Sequence, residues 1–159
     1  MDLTKIEIKF MPTITDDQIW DFYVRNDICE VGYGREEAVR PMKKEFSPYY
    51  AAALYEGKLV GIVRGLFDGL SLFIAEACLE CALQGENLKW NNGSVIEKDD
   101  HGLFKKMCMF FLDEMRKQGN TFTTNYVIEG NEAKIWQSIG LELNEGHLAY
   151  YKDERPYVQ

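Results

Sequence analysis

The chain has 159 residues, of which 46% are hydrophobic and 13% aromatic, so it is long and apolar enough to fold around a substantial core. Its formal net charge of −8 argues against a nucleic-acid surface, and no segment has the length and apolarity of a membrane span or the pattern of a secretory signal. We expect a cytoplasmic protein with one domain over residues 1–152 and a loose tail over 153–159, and no nucleic-acid or membrane partner.

The cysteines and histidines do not form a recognisable ligand set. The chain has four cysteines without the spacing of a disulfide framework and two histidines without a companion at ligand spacing. Cys78 and Cys81 form a lone C-x-x-C inside a predicted strand, where residues three apart point to opposite faces. We therefore predict no metal site, and we interpret Cys78 and Cys81 as core residues of a strand. The high apolar content is compatible with a homodimer, although no single segment specifies one.

A strand and two helices are predicted at the start of the chain. Residues 6–10 alternate between apolar and charged, which indicates a strand. Thr15 and Gln18 form the capping-box pattern of a helix that is predicted to end near Gly32, and a second helix is predicted over residues 35–46, limited or split by Pro41. Four residues are assigned to these helices: Trp20, Tyr23, Tyr33 and Arg40. They either line a pocket or belong to the core, and the core is favoured for the three aromatic residues.

Three antiparallel strands are predicted next. The first two, over residues 50–55 and 59–66, are joined by a tight turn at residues 56–58. The third is a long apolar run over residues 70–84, which exceeds the usual strand length and therefore indicates a bulge.

Two glutamates interrupt this third strand. The two-residue period of a strand puts Glu76 and Glu80 on the same face. Burial of a carboxylate costs free energy unless it is paired, hydrated or used in chemistry, and desolvation raises the pKa of a carboxyl toward that of a general base. The alternatives are a solvated sheet face or a buried ion pair with Arg64 or Lys89.

The last third contains two helices separated by a strand. A small hairpin is predicted over residues 88–96, an amphipathic helix within 99–119, a strand over 121–128, a helix over 132–139 and a final hairpin over 141–152. Two aspartates and a glycine precede the first of these helices. These residues are Asp99, Asp100 and Gly102. Such a start is typical both of an ordinary capped helix and of a phosphate-binding loop, and the segment alone favours the capped helix.

The order of these elements and three short motifs resemble one known family. The motifs are W-Q-S-I-G-L at residues 136–141, A-L-Y-E-G-K-L-V-G at 53–61 and C-L-E-C-A-L at 78–83. They resemble, in turn, the end of the last helix, the second-to-third strand hairpin and the fourth strand of the GCN5-related N-acetyltransferases (GNATs). The resemblance implies an α+β fold with a mixed, mostly antiparallel sheet of six to seven strands, flanked by about four helices.

The resemblance also implies a function. It implies an acetyl-CoA-dependent N-acetyltransferase that acts on a small-molecule amine, with acetyl-CoA lying as co-substrate between the fourth and fifth strands. Glu80 corresponds to the base that takes the amine proton, and the acid that protonates the leaving thiolate is assigned to Tyr126, with Tyr150 as the alternative. The implied contacts to the cofactor fall on Ala82, Leu83, Gln84, His101, Gly102, Leu103, Phe104, Asn131 and Trp136.

The sequence departs from the family pattern around the cofactor. The family's phosphate loop is [Q/R]-x-x-G-x-[G/A], but Asp99 and Phe104 stand at its two ends, after about a dozen extra residues. An aspartate beside a pyrophosphate repels it by roughly 1 kcal/mol per solvated pair. Trp136 stands where the family has a tyrosine, and Glu129 falls at the spacing of its asparagine. Three lysines near the loop offset the repulsion: Lys98, Lys105 and Lys106.

Two alternatives stand beside this function, and the departures at the loop and at Trp136 motivate the first of them. The first is a protein of the same fold that binds an acyl-CoA or another ligand with little or no turnover. The second is an unrelated α+β protein-interaction module, in which the long strand forms an edge for a partner.

Overall fold

The computed structural model describes residues 1–29, 34–46 and 49–155 and has an α+β fold. Within these residues, five strands form one sheet in sequence order, rather than the six to seven that were expected. The first four strands are antiparallel, and the fifth pairs in parallel with the fourth. The strands are β1 (Ile6–Phe10), β2 (Tyr49–Tyr55), β3 (Lys58–Phe67), β4 (Leu72–Leu79) and β5 (Thr124–Asn125).

Helices cover both faces of the sheet. One apolar cluster joins the sheet to α4 and α5, and a second joins it to α1 and α2. Single 3-10 turns lie at Leu3–Lys5, Arg40–Met42 and Gly130–Glu132. The α-helices of the described residues are α1 (Asp16–Arg25), α2 (Arg35–Val39), α3 (Cys81–Gln84), α4 (Leu103–Gln118) and α5 (Ala133–Ile139).

The predicted capping box begins α1. The Thr15 hydroxyl accepts from the Gln18 N–H at 3.2 Å, and the Gln18 side chain accepts from the Thr15 N–H at 2.9 Å. The helix ends at Arg25, earlier than expected, and Gly32 lies outside the described residues. The second helix is split as Pro41 predicted, because proline cannot supply the N–H that a continuing helix needs.

The predicted aromatic core is confirmed for the part of α1 that carries it. Tyr23 is 5% exposed, and Trp20 packs against the same cluster. Tyr33 lies outside the described residues, and Arg40 is exposed with its guanidinium 3.3 Å from Glu36.

The third predicted strand is shorter than expected. A bulge in β4 faces the Arg64–Gly65 step of β3, as the length indicated. The strand then ends at Leu79 instead of residue 84, because the Glu80 carbonyl accepts from the Leu83 N–H at 2.8 Å and the chain turns into α3. Cys78 is buried as expected, whereas Cys81 is only partly buried on α3.

Three further strand predictions were wrong in extent or in kind. The strand expected over 121–128 is reduced to Thr124–Asn125, and the segment 88–96 forms a loop because the Glu97 carboxylate accepts N–H groups that a hairpin would have paired. The turn of the final hairpin is present, but its arms are not strands. Their side chains are largely exposed, Tyr150 by 91%, so little burial offsets the entropy of ordering them.

Candidate functional site

The Glu80 carboxylate lies just beyond the end of β4 and is held by α1. Its Oε2 atom accepts from Arg25 Nε at 3.1 Å and from Nη2 at 2.9 Å. The same guanidinium donates to the Leu59 carbonyl and pairs with Asp21. Glu80 is 9% exposed, so the cation compensates a charge that would otherwise be costly to bury. The Oε1 atom has no protein partner among the described residues and remains available to a ligand.

Glu76 has a structural role. Its carboxylate accepts from Tyr23 Oη at 2.6 Å and lies 3.2 Å from Arg64 Nε, which confirms the predicted alternative of a buried ion pair. Burial and the neighbouring Glu76 charge raise the pKa of Tyr23 well above its usual value, so this hydroxyl stays a donor. Burial likewise raises the pKa of the adjacent Cys78 thiol.

A polar pocket of about 330 Å³ lies beside Glu80. It is formed by the end of α1, by α3 and by the loop that follows α3. Burial raises the pKa of the Cys81 thiol that lines it, which disfavours a thiolate nucleophile there. The predicted residues Glu80 and Ala82 both line this pocket, together with Arg25, Asn26, Cys81, Gly85, Asn87, Leu88 and Asn91.

The remaining predicted residues of this segment lie in the interior. Leu83 is 2% exposed and belongs to the core under α4. Gln84 is fully buried, and its side chain donates to the Leu79 carbonyl at 3.2 Å and accepts from the Glu97 N–H at 3.0 Å. The Gln84 amide therefore ties the end of β4 to the loop that leads into α4.

The start of α4 is capped by the protein itself. The two carboxylate oxygens of Asp99 accept from the N–H groups of Phe104 and Lys105, each at 2.9 Å. Gly102 precedes the helix with φ of 66°, a conformation that suits glycine. His101 and Gly102 are exposed, and Leu103 is 8% exposed. A carboxylate therefore occupies two of the donors that a phosphate at this helix start would use.

An aromatic cluster lies behind this helix start. The Phe104 ring meets the indole of Trp136 edge-on at a centroid distance of 5.4 Å, and Tyr126 meets the same indole at 4.7 Å. Burial raises the pKa of Tyr126, so its hydroxyl holds its proton more firmly than a free tyrosine. Tyr126 packs with the α4 and α5 core, whereas Glu80 pairs with Arg25 of α1, and no hydrogen bond joins the two predicted catalytic residues in the described structure.

The turn before α5 contains a residue that the sequence interpretation missed. Asn131 is exposed in this turn, but Glu132 is 3% exposed and accepts from the Ile96 N–H at 2.7 Å and from the Glu129 N–H at 3.1 Å. Burial raises the pKa of Glu132, and the two N–H donors oppose this shift. The spacing of Glu129 and Glu132 is that of a capping box, which was the available signal.

Within the residues that the structure describes, no group of three or more histidine, cysteine or acidic side chains is arranged as metal ligands would be. Over the same residues, no helix combines the length and apolarity needed to cross a membrane.

Solved structures share this fold, although no protein-family model and no curated protein matches the sequence. A GNAT-family acetyltransferase from Streptococcus pneumoniae has a TM-score of 0.64 at 16% identity, over 94% of this chain and 99% of that one. Glucosamine-6-phosphate N-acetyltransferase from Arabidopsis thaliana has 0.62 at 14%, over 93% and 99%. An aminoglycoside N-acetyltransferase in complex with CoA has 0.61 at 12%, over 94% and 95%.

The fold predicted by the sequence motifs is therefore confirmed. Over nearly its full length, the chain has the α+β architecture of the GNAT acetyltransferases, with identities of 12–16% to the structures above. At such identities the likeness shows a shared fold, and the chemistry must be argued from the residues of this chain.

Proposed function

We propose that the protein is an N-acetyltransferase that uses acetyl-CoA and acts on a small-molecule amine. The observation that carries this proposal is the Glu80 carboxylate, which has one free oxygen beside a polar pocket in a fold shared with acetyltransferases. A carboxylate in this position is suited to receive a proton from an amine in the pocket.

In this proposal Glu80 accepts the proton and Arg25 positions the Glu80 carboxylate. Arg25 holds Oε2 through two hydrogen bonds, which fixes the carboxylate, and Oε1 would receive the proton that the amine nitrogen loses on acylation. Asn26 and Asn91 line the same pocket and provide neutral polar groups for an acceptor that carries further hydroxyl or amide groups. The acetyl group itself would come from acetyl-CoA when that co-substrate is bound.

In the conformation described, the start of α4 offers the pyrophosphate of CoA fewer free N–H donors than an uncapped helix start would. Asp99 already occupies two N–H groups there, and the buried Phe104 stands in place of a small residue. This observation favours a second candidate function, which is binding of an acyl-CoA or another ligand with little or no turnover. Nothing favours the unrelated interaction module, because the fold is that of the GNATs.

Calorimetric titration with acetyl-CoA and with CoA, combined with thiol release over an amine panel, separates these functions. We expect turnover in the wild type, a loss of at least about 100-fold in Glu80→Gln, and no change in Glu86→Gln, which removes an exposed charge just outside the pocket. Binding without thiol release would support the second candidate. Turnover that is unaffected in Glu80→Gln would refute the assignment of the base.

A further inference from the structure

A segment of the chain closes the opening between β4 and β5. These strands pair only at Leu72–Thr124 and Phe73–Asn125, and β4 then continues to Leu79 without its neighbour. Residues 92–97, here called the strap, lie between the end of β4 and the start of α5. The strap therefore occupies the side of β4 that faces away from β3.

Hydrogen bonds at the end of β4 establish this position. The Glu80 N–H donates to Val60 on β3 at 2.8 Å, and successive N–H groups of a strand point to opposite sides. The Leu79 N–H therefore points away from β3, and its partner is the Gly93 carbonyl of the strap at 2.9 Å. The Gly93 N–H in turn donates to the Asn26 carbonyl at the end of α1, at 2.8 Å.

The other end of the strap is anchored to the core and to α5. Ile96 is fully buried among the residues under α4, and its N–H donates to the Glu132 carboxylate. The Glu97 N–H donates to Gln84, so the strap is held at four points: by β4, by the end of α1, by the turn before α5 and by α3. Gly93 is tightly enclosed, since a Cβ atom there would lie 2.8 Å from Asn26 Cβ and 3.1 Å from the Leu79 carbonyl oxygen.

We infer that the strap is a removable occupant of the groove that takes the pantetheine arm of an acyl-CoA, so that the protein competes with its own co-substrate. This inference rests on the proposed function. Gly93 accepts from the Leu79 N–H through its carbonyl and donates its own N–H to the Asn26 carbonyl, so two successive amides are used, and the pantetheine arm also carries two secondary amides, each with one carbonyl and one N–H. An extended amide chain is therefore the class of ligand that can replace the strap without leaving these donors and acceptors unpaired.

Because the strap occupies the groove, it lowers the apparent affinity of the protein for such a ligand. When only one molecule in ten has a free groove, the apparent dissociation constant rises about tenfold. Gly93→Ala adds a methyl group where no room exists and should release the strap. Gly130→Ala is the matched control, because a Cβ atom there meets nothing within 4 Å.

The test measures CoA affinity by calorimetry and amide hydrogen exchange of residues 93–97 for the wild type and both variants. We expect Gly93→Ala to bind CoA at least about tenfold more tightly than the wild type and to lose amide protection at Ile96 and Glu97, while Gly130→Ala matches the wild type. If Gly93→Ala does not fold, hydrogen exchange of the wild type tests the inference by itself. Saturating CoA should then remove the protection of the Ile96 and Glu97 amides.

The opposite outcomes separate the two claims. CoA binding with the strap still protected, and no gain in Gly93→Ala, would overturn the strap inference and leave the proposed function intact. A released strap in Gly93→Ala without any CoA binding would refute the proposed function, and with it the competition.

Discussion

Arg25 at the end of α1 and Glu80 beyond the end of β4 form a buried ion pair across 55 positions of sequence, with Nη2 2.9 Å from Oε2. The guanidinium also donates to the Leu59 carbonyl and lies 5.4 Å from the centroid of the Phe22 ring. One side chain therefore fixes the candidate base, satisfies a carbonyl of β3 and packs against the core of α1.

Arg25→Met should destabilise the protein by about 3 kcal/mol, because it leaves the Glu80 carboxylate buried without its cation. Glu80→Gln in the same chain should recover part of this loss, with a coupling of about 1–3 kcal/mol. Urea unfolding of the four proteins in this double-mutant cycle gives both quantities. Arg40→Met is the control, since its pair with Glu36 is exposed and should contribute less than about 1 kcal/mol. Equal losses in the two arginine variants would contradict the prediction.

Asp99→Ala should destabilise the protein by about 1 kcal/mol, because the N–H groups of Phe104 and Lys105 lose their acceptor at the start of α4. Asp100→Ala removes the same charge from the neighbouring position, where no hydrogen bond of the carboxylate is found among the described residues, and should change the free energy of unfolding by less than about 0.5 kcal/mol. Thermal or urea unfolding measures both. A similar loss in both variants would mean that Asp99 acts through charge alone.

Phe104→Ala should cost about 4 kcal/mol, because the ring is fully buried against Trp136 and its removal leaves a cavity. Phe122→Ala deletes the same atoms from a residue that is 73% exposed and should cost less than about 0.5 kcal/mol. Urea unfolding compares the two. A small loss in Phe104→Ala would show that the helix start can accept the small residue that the family's phosphate loop has there.

Local patterns predicted most of the fold. The capping box at Thr15 and the break at Pro41 depend on neighbouring residues, and both were read correctly from the sequence. The turn between β2 and β3 also formed as predicted, with positive φ at Glu56 and Gly57. The final strands were wrong because a strand is stabilised by its partners, and the pattern over residues 147–152 contains no information on whether an edge is available.

The candidate site was predictable only in part, because its key contacts join distant residues. The sequence singled out Glu80 from its polar character in an apolar run, and it offered Arg64 or Lys89 as its partner; the structure pairs it with Arg25. The position of Gly93 against Leu79 was not predictable, since it depends on how β4 and β5 separate. Sequence patterns identify unusual residues, and tertiary packing decides what they meet.

Glu132 makes the stability of the strap's anchor dependent on pH. Burial raises the pKa of this carboxyl above its ordinary value of 4.5, so the folded protein binds its proton more tightly than the unfolded chain does. The resulting stabilisation is fully present below about pH 4.5 and is lost as the pH rises through the raised pKa. The slope cannot exceed about 1.4 kcal/mol per pH unit for one group.

Comparison of the wild type with Glu132→Gln isolates this contribution. The variant cannot titrate at this position, so the unfolding free energy of the wild type should fall relative to that of the variant as the pH rises from about 4 to 7. The variant also loses one acceptor for the Glu129 N–H, which lowers its stability by a constant amount at every pH. Glu142→Gln, an exposed substitution of the same type, controls for the change in net charge. Urea unfolding at several pH values measures the difference, and a difference that does not vary with pH would show that the Ile96 and Glu129 donors fully offset the burial of Glu132.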